Sequence, residues 1–472
     1  MNTVSPPGTS AAAPLAPADV EELRSQVAGP VLLPGQDGFA EEHTGFELSV
    51  EHRPLVIVCA TGAADVIAAV RFAAARGLPV AVQATGHGKS APATGVLVGT
   101  RRMTGVRVDP EARTARIEAG VRWERVIHEA AAHGLAPLSG SAPFVGAVSY
   151  TLGGGLGLLS RAYGNACDRV TSLDLVTADG TFLQVSAERH PDLFWGVRGS
   201  KGNLGVVTSV EVELVPVREL HGGGLYFDAD STRDVLTAYL EWTDRVPEEL
   251  ASSVFLAAYP DAEGIPGPLR GRFVTHVRLA HLGERAEAER WFDELRAAGT
   301  VLMDTVTTLP YTRAGEIHSD PPSPVASYSK TVMLRRPDAE AVDAILRLAG
   351  PGTDAVFGVE LRHMGGALSR PAKTPSAAGH YPEAVFNAYV GSLLEPGQRD
   401  AIDAAQREML DALRPWTVPG VALNFLAGHN TSVEVTRGAY TPENYARLRE
   451  LKRRYDPDNV FRSNPNIPPA SA

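Results

Sequence analysis

The apolar and polar positions along the chain change period several times, and each change predicts an element. The run 65-DVIAAVRFAAARG-77 has helical apolar spacing and ends in glycine, which predicts a helix. The short apolar run 79-PVAVQA-84 predicts a strand, as does the alternation in 113-RTARIEAGV-121. Between that strand and the next turn, 122-RWERVIHEAAAHG-134 predicts a second helix closed by glycine. The segment 172-SLDLVTADGTFLQV-185 predicts a hairpin with Asp179 and Gly180 at its turn. A long strand over 205-GVVTSVEVELVPV-217 closes this block. From 218 to 414 the character changes. Amphipathic helices over 282–299 and 398–413 alternate with strands such as 356-VFGVELRHM-364, which predicts a second, α+β domain. The tail 440-YTPENYARLRELKRRYDPDNVF-461 predicts a helix that stops at Asp456 and Pro457.

Composition narrows the function classes. A chain of 472 residues suits two domains, and 44% hydrophobic residues are ample for their cores. The net charge of -11 argues against nucleic acid or an anionic membrane as partner. No apolar run reaches the roughly 18 residues that span a bilayer. The only cysteines, Cys59 and Cys167, exclude a disulfide framework. Residues 1–15 are rich in Pro, Ala, Ser and Thr and are expected to be disordered. They lack the basic and long apolar regions of a secretion leader, so the cytoplasm is the expected compartment.

Three motifs imitate known sites. The triplet 88-GKS-90 ends like a phosphate-binding loop, but Gln83 stands where that loop needs glycine. His128 and His133 are five apart, not four, so they do not share a helix face as zinc ligands would. The run 153-GGGLG-157 lacks the last glycine of a nicotinamide-binding fingerprint. What remains is a set of Gly-rich turns at 85-TGHGKSA-91, 139-SGSAPFVG-146, 152-LGGGLGLLSRAYG-164 and 199-GSKGNLGVV-207. Successive exposed N–H groups in such turns suit a large diphosphate-bearing cofactor.

These motifs carry a family resemblance. The stretches 86-GHG-88, 145-VGAVSYTLGGGLGLLSRAYGNACDRV-170, 175-LVTADG-180, 192-DLFWGVRGSKGNLGVVTSVEVEL-214 and 464-NPNIPP-469 resemble the FAD-linked oxidases of the vanillyl-alcohol oxidase superfamily. The branch is the berberine-bridge-enzyme-like one with a PCMH-type FAD domain. The resemblance implies an α+β fold with a two-part FAD-binding domain at 16–217 and 415–472, its PCMH-type core at about 50–217. A substrate domain, an antiparallel sheet flanked by helices, would occupy 218–414.

The resemblance also implies site residues. His87 would be alkylated by the 8α-methyl of FAD as the single covalent link. The family's second link would need a cysteine at Ala142, and alanine has no nucleophile. Cys167 matches a position packed against the cofactor and reads as a buried thiol. Thr85, Gly86, Gly88 and Ser90 would cradle the pyrophosphate side. Gly146, Tyr150, Gly153, Gly154, Gly155 and Gly157 would line the flavin and ribityl chain. Gly202, Asn203, Gly205 and Val207 resemble the adenine-side loop, and Asn424 and Asn464 would return towards the isoalloxazine. A substrate C–H carbon would lose hydride to the flavin, and oxygen, admitted past Val145, would be reduced to hydrogen peroxide. The partners are thus a small organic alcohol or amine and oxygen, with no metal. A dehydrogenase with another acceptor, or a flavin-retaining binding protein, are the alternatives. Phe425 stands where several members carry a tyrosine base. Alternation puts Glu360 and Arg362 on one strand face and His363 on the other, so Glu360 with Arg362 is the first choice of base, ahead of His363 and Tyr389.

Overall fold

The strands Val56–Cys59 and Val96–Gly99 have no polar face, for every residue in them is buried. Such strands need cover on both sides and suit a parallel sheet. In the computed structural model, which describes residues 14–88, 91–426, 428–429 and 431–471, the two pair in parallel. Val80–Gln83 joins them in parallel and Val31–Leu32 adds an antiparallel edge, completing a four-stranded sheet. The helix Ala63–Ala75 covers it with Val66, Ala69, Val70 and Ala73. The expected lead at 1–15 lies outside the described residues except for its last two positions.

A five-stranded antiparallel sheet follows, ordered Val106–Asp109, Thr114–Glu118, Val206–Glu213, Val170–Val176, Phe182–Ser186. The strand that closes this block in sequence therefore sits at the sheet's centre. The expected hairpin turns at Asp179 and Gly180, where the Thr181 N–H donates to Asp179 Oδ1 at 3.0 Å. The helix Trp123–Ala131 buries Trp123, Val126, Ile127 and Ala130 and leaves His128 and His133 exposed.

The third sheet is antiparallel and has nine strands, running from Val301–Asp304 at one edge to Thr417–Val418 at the other. Its last strand lies beyond residue 414. Its two faces differ in kind. One is apolar: Val254, Val277, Leu279, Val359, Leu361 and Ala388 pack against Leu236, Phe292, Ile345 and Met409 of four helices. The other is polar and nonetheless buried. Register puts Ser253 opposite both Arg278 and Arg362, Glu360 opposite Tyr389, and Arg362 opposite Asn387. Thus the chain is α+β, with two smaller sheets and one large antiparallel sheet flanked by helices. Among the described residues no helix is long and apolar enough to cross a membrane.

The C-terminal helix Pro442–Tyr455 ties the tail of the chain to the loop that carries Asn203. Lys452 has no exposed side-chain surface, and its Nζ donates to Asp456 Oδ2 at 2.6 Å, Asn203 O at 2.8 Å and Phe461 O at 2.9 Å. Asp456 accepts from the Val460 and Phe461 N–H groups at 2.7 and 2.9 Å. Asn203 donates to Ser200 O and Pro465 O and accepts from the Ile467 N–H.

These buried groups make the fold sensitive to loss of a charge partner and to pH. Lys452→Met strands Asp456 as a buried charge, so urea unfolding should show a loss of about 3–5 kcal/mol. A loss below about 1 kcal/mol would mean that the pair does not fix the tail. His276, His318 and His363 are also buried. Burial first, and then the charges of Arg278, Arg362 or Arg161, hold each imidazole well below its ordinary pKa. The unfolded chain then binds protons that the folded chain refuses once pH falls below about 6.5. Stability should therefore fall with pH in that range, each group adding up to about 1.4 kcal/mol per pH unit. Urea midpoints measured from pH 7 to 5 check this, and the slope should shrink in His318→Gln.

Candidate active site

The parallel strand Val80–Gln83 delivers its chain to the loop 84–88 at its carboxyl end, where open parallel sheets hold ligands. The loop is fixed by the segment beside it. Phe46 and Glu47 N–H groups donate to the Thr85 and Gly86 carbonyls, each at 3.0 Å. That pairing lays the Phe46 ring on His87, with centroids 3.9 Å apart and planes 13° apart, and Phe144 closes the cluster. Gly86 has φ of 72°, and a Cβ there would lie 2.6 Å from Gly45 Cα, so the loop needs glycine. At Gly88, among the described residues, a Cβ would meet only Lys201 Nζ, at 3.9 Å. His87 Nδ1 is 2.8 Å from Thr85 Oγ1, which also accepts from the Gly146 N–H. Its buried Nε2 has no partner among the described residues. Burial, then the charge of Arg122, pushes the imidazole down to about 4, so the ring is neutral. Ser90 lies outside the described residues.

The second Gly-rich loop follows the helix Ala147–Leu152. Tyr150 from that helix fills the space that Gly140, Gly155 and Gly157 leave, and its buried hydroxyl has no partner among the described residues. A Cβ at Gly157 would lie 2.0 Å from Ser139 O. Asn424 clamps this loop from the tail: its Oδ1 accepts from the Gly155 N–H at 2.7 Å and its Nδ2 donates to Tyr150 O at 2.9 Å. Gly153 lies against that amide, and Gly154 faces Ala378. Asn464 donates to Phe461 O at 3.3 Å, which holds its amide within the tail. In the third loop, Gly205 packs on Leu175 and Val207 joins the core, while Gly202 has only the Gly205 carbonyl, at 4.0 Å, near a built Cβ. Asn203 spends both N–H groups and its carbonyl on protein partners. Cys167 is buried beside Ser376 at 3.5 Å, and burial raises its pKa. Ala142 is buried, and Val145 packs on the core with its carbonyl accepting the Trp123 N–H.

Lys201 is a residue that motif reading passed over. It has φ of 47°, its Nζ donates to Leu423 O at 3.0 Å and Leu426 O at 2.8 Å, and it makes no ion pair among the described residues. Burial brings it down to about 8. The cradle thus offers a cation held by neutral carbonyls and orphaned buried side-chain atoms on His87, Tyr150 and Ser200. Glycines open on one side at 88 and 202 complete it. Such a set fits a large, flat, diphosphate-bearing group.

The polar face of the nine-stranded sheet supplies the chemistry-bearing residues. Glu360, 4% exposed, accepts from Arg278 Nη1 at 3.0 Å and from Arg362 Nη2 at 3.2 Å. Burial would raise its pKa, but Arg362 and Arg278 outweigh burial and hold it below the usual carboxylate range. His318 Nε2 stands 3.8 Å from Glu360 Oε1. Tyr389 shares the face and lies 5.7 Å from the Phe425 ring, over which Arg362 also sits. Glu360, Arg362 and Tyr389 are therefore brought together. His363 points to the other face, against Phe386, with its Nε2 2.8 Å from Arg161 Nη1. Arg278, His276 and His318 were not among the sequence candidates. The alternation in 273-FVTHVRLAH-281 places the first two on one face, the same signal that singled out Glu360 and Arg362.

The chain is similar to known FAD-linked proteins. Residues 54–186 match the FAD binding domain family, and residues 424–468 match the berberine and berberine-like family. The chain is 31% identical over 464 residues to (R)-6-hydroxynicotine oxidase of Paenarthrobacter nicotinovorans, covering 94% of this chain and 97% of the relative. It is 26% identical over 457 residues to YgaK of Bacillus subtilis, an FAD-linked oxidoreductase, covering 94% and 98%. The crystal structure of 6-hydroxy-D-nicotine oxidase from Arthrobacter nicotinovorans superposes with a TM-score of 0.83 at 28% identity, over 94% of this chain and 98% of that one. Berberine bridge enzyme from Eschscholzia californica shares the fold, with a TM-score of 0.81 at 18% identity over 96% and 99%. The chain is a member of the FAD-linked oxidoreductases of the vanillyl-alcohol oxidase superfamily, in the berberine-bridge-enzyme-like branch.

Proposed function

We propose that the chain oxidises a small organic substrate at a C–H carbon beside a hydroxyl or amine, with oxygen as the acceptor. One observation carries the reading: a buried, charged sheet face, with Glu360, Arg362 and Tyr389 on it, meets Phe425, next to the Asn424 that clamps the Gly-rich loop. FAD, when bound, supplies a hydride acceptor that passes two electrons to oxygen and yields hydrogen peroxide. The likeness to hydroxynicotine oxidase supports oxygen as the acceptor. We assign 16–217 and 415–472 to the FAD-binding part and 218–414 to the substrate-binding part.

The chain's residues have distinct tasks in this reading. The loops at 85–88, 153–157 and 202–205 hold the cofactor, with Lys201 as a nearby cation. His87 Nε2, neutral, buried and without a partner among the described residues, is the nitrogen we assign to the covalent link. Ala142 and the raised, buried Cys167 thiol support a single link. Glu360 receives the proton of the substrate's O–H or N–H. The guanidiniums beside it keep it ionised but weaken it as a base, because a pKa far below the working pH lowers basic strength. Val145 remains our candidate for oxygen access.

Two measurements test this. Acid-precipitated protein should stay yellow, with one flavin-bearing peptide that contains His87, and His87→Ala should release its flavin. Complete loss of flavin from the wild type in acid would remove the covalent assignment. Glu360→Gln keeps the shape and removes the basicity. It should leave the flavin spectrum intact and slow anaerobic flavin reduction by roughly 10²–10⁴, nearer the lower end because the base is weak. Peroxide formed on reoxidation should match substrate consumed; electrons that reach only an added acceptor would indicate a dehydrogenase. An unchanged reduction rate would transfer the role to His318 or Tyr389.

A further inference from the structure

We propose that the substrate carries a carboxylate, which Arg278 and Arg362 bind in the cleft between the Leu156–Gly157 segment and the nine-stranded sheet. The inference rests on the reading above, that oxidation takes place against the sheet's polar face, and it names the substrate class of that site.

Charge balance is the first ground. Ser253, Arg161, Arg278, His318 and Arg362 line the cleft together with Leu156 and Gly157, and its free volume of about 20 Å³ has room for a carboxylate group, with the rest of the substrate outside it. Three guanidiniums therefore border one small space. Glu360 is the single carboxylate paired with any of the three among the described residues, at 3.0 Å from Arg278 and 3.2 Å from Arg362. Arg161 is held by neutral carbonyls, including Leu250 O at 2.8 Å and Pro247 O at 3.1 Å. The imidazoles of His276 and His318 add no charge, for burial keeps both neutral. The next carboxylate, Asp320, is partly exposed, takes the Ser141 hydroxyl at 2.6 Å and pairs with none of the three. A buried excess of cations is costly unless an anion joins it.

Hydrogen-bond balance is the second ground. The Nε of Arg278 and the Nε of Arg362, both of which line the cleft, are buried without partners among the described residues, as is the Nδ2 of Asn387, opposite Arg362 on the same sheet face. All three can only donate. Glu360 has already engaged both arginines through their Nη atoms. An alcohol or amine alone would leave both the charge and most of these donors unmet. A carboxylate meets both, since its two oxygens accept several hydrogen bonds and match the planar fork of a guanidinium.

The test uses purified flavin-loaded enzyme and calorimetric titration at pH 7.5, with benzoate and phenylacetate as probes and benzamide and phenylacetamide as their neutral shapes. The acids should bind about ten- to a hundredfold more tightly than the amides, the worth of charged hydrogen bonds. Arg278→Met should abolish that preference, and Arg278→Lys should retain part of it. Flavin content confirms that each variant is folded, and the wild-type comparison stands without them. Equal affinity for acid and amide, or no binding of either acid, would overturn the proposal. So would an Arg278→Met enzyme whose flavin potential shifts while its acid preference is unchanged, because the cation would then serve the cofactor. Bleaching of the flavin by neutral alcohols or amines without an acid preference would overturn this inference and leave the oxidation reading intact. An acid preference in a protein whose flavin no substrate bleaches would do the reverse.

Discussion

The Lys452 ammonium, without any exposed surface, is the point on which the seating of the C-terminal segment depends. It bonds Asp456 at the cap of its own helix and, far away in sequence, the Asn203 carbonyl of the Gly-rich loop 199–207. A buried ammonium is tolerated only when it is paired and its donors are met, and here three acceptors meet three donors. The pair therefore does more than stabilise a helix end. It imposes one docking position on the tail. From that position Asn203 reaches Pro465 and Ile467, and the same tail carries Asn424 to the second loop. Two Gly-rich loops that are far apart in sequence are thus shaped by one C-terminal segment. Loops rich in glycine have much entropy to lose, and side-chain amides that satisfy their N–H and C=O groups repay it.

The large sheet solves a different problem. Its apolar face is covered by helices and would stabilise the sheet alone. Its polar face is buried as well, which gains nothing from the hydrophobic effect and requires every charge to find a partner. Arg278, Glu360 and Arg362 meet part of that requirement among themselves, and the unpartnered nitrogens show the part they leave open. A face with that imbalance is poor for stability and well suited to binding.

Much of this arrangement was legible in local pattern. The helix expected over 65–77 is Ala63–Ala75, the hairpin turns at Asp179 and Gly180, and the tail helix ends at Tyr455, just before the expected stop. Strand alternation alone placed Glu360 and Arg362 together and His363 apart. The same rule applied to 273–281 would have raised His276 and Arg278, but nothing local shows that their strand lies one strand away from Glu360, across Leu250–Ala258. Strand order is a property of long-range pairing. His318 was illegible for a related reason, because it follows a short helical turn, Tyr311–Ile317, that has no periodicity to read. Lys201 was hidden by its setting. In a run of glycines it reads as a filler, and only the fold shows that carbonyls from 423 and 426 converge on it.

The arginines that border Glu360 impose a trade-off on any chemistry done there. Without them, burial would raise its pKa and leave it protonated, unable to accept a proton. With them, it is ionised, but each guanidinium that favours the carboxylate also disfavours the protonated acid that proton transfer creates. The balance changes if an anion joins the cluster. A substrate carboxylate drawing on Arg278 and Arg362 would weaken their hold on Glu360 and raise its basicity at the moment the substrate is in place. Binding and base strength would then be coupled through shared guanidiniums, and a neutral molecule of the same shape would meet a weaker base as well as a weaker site.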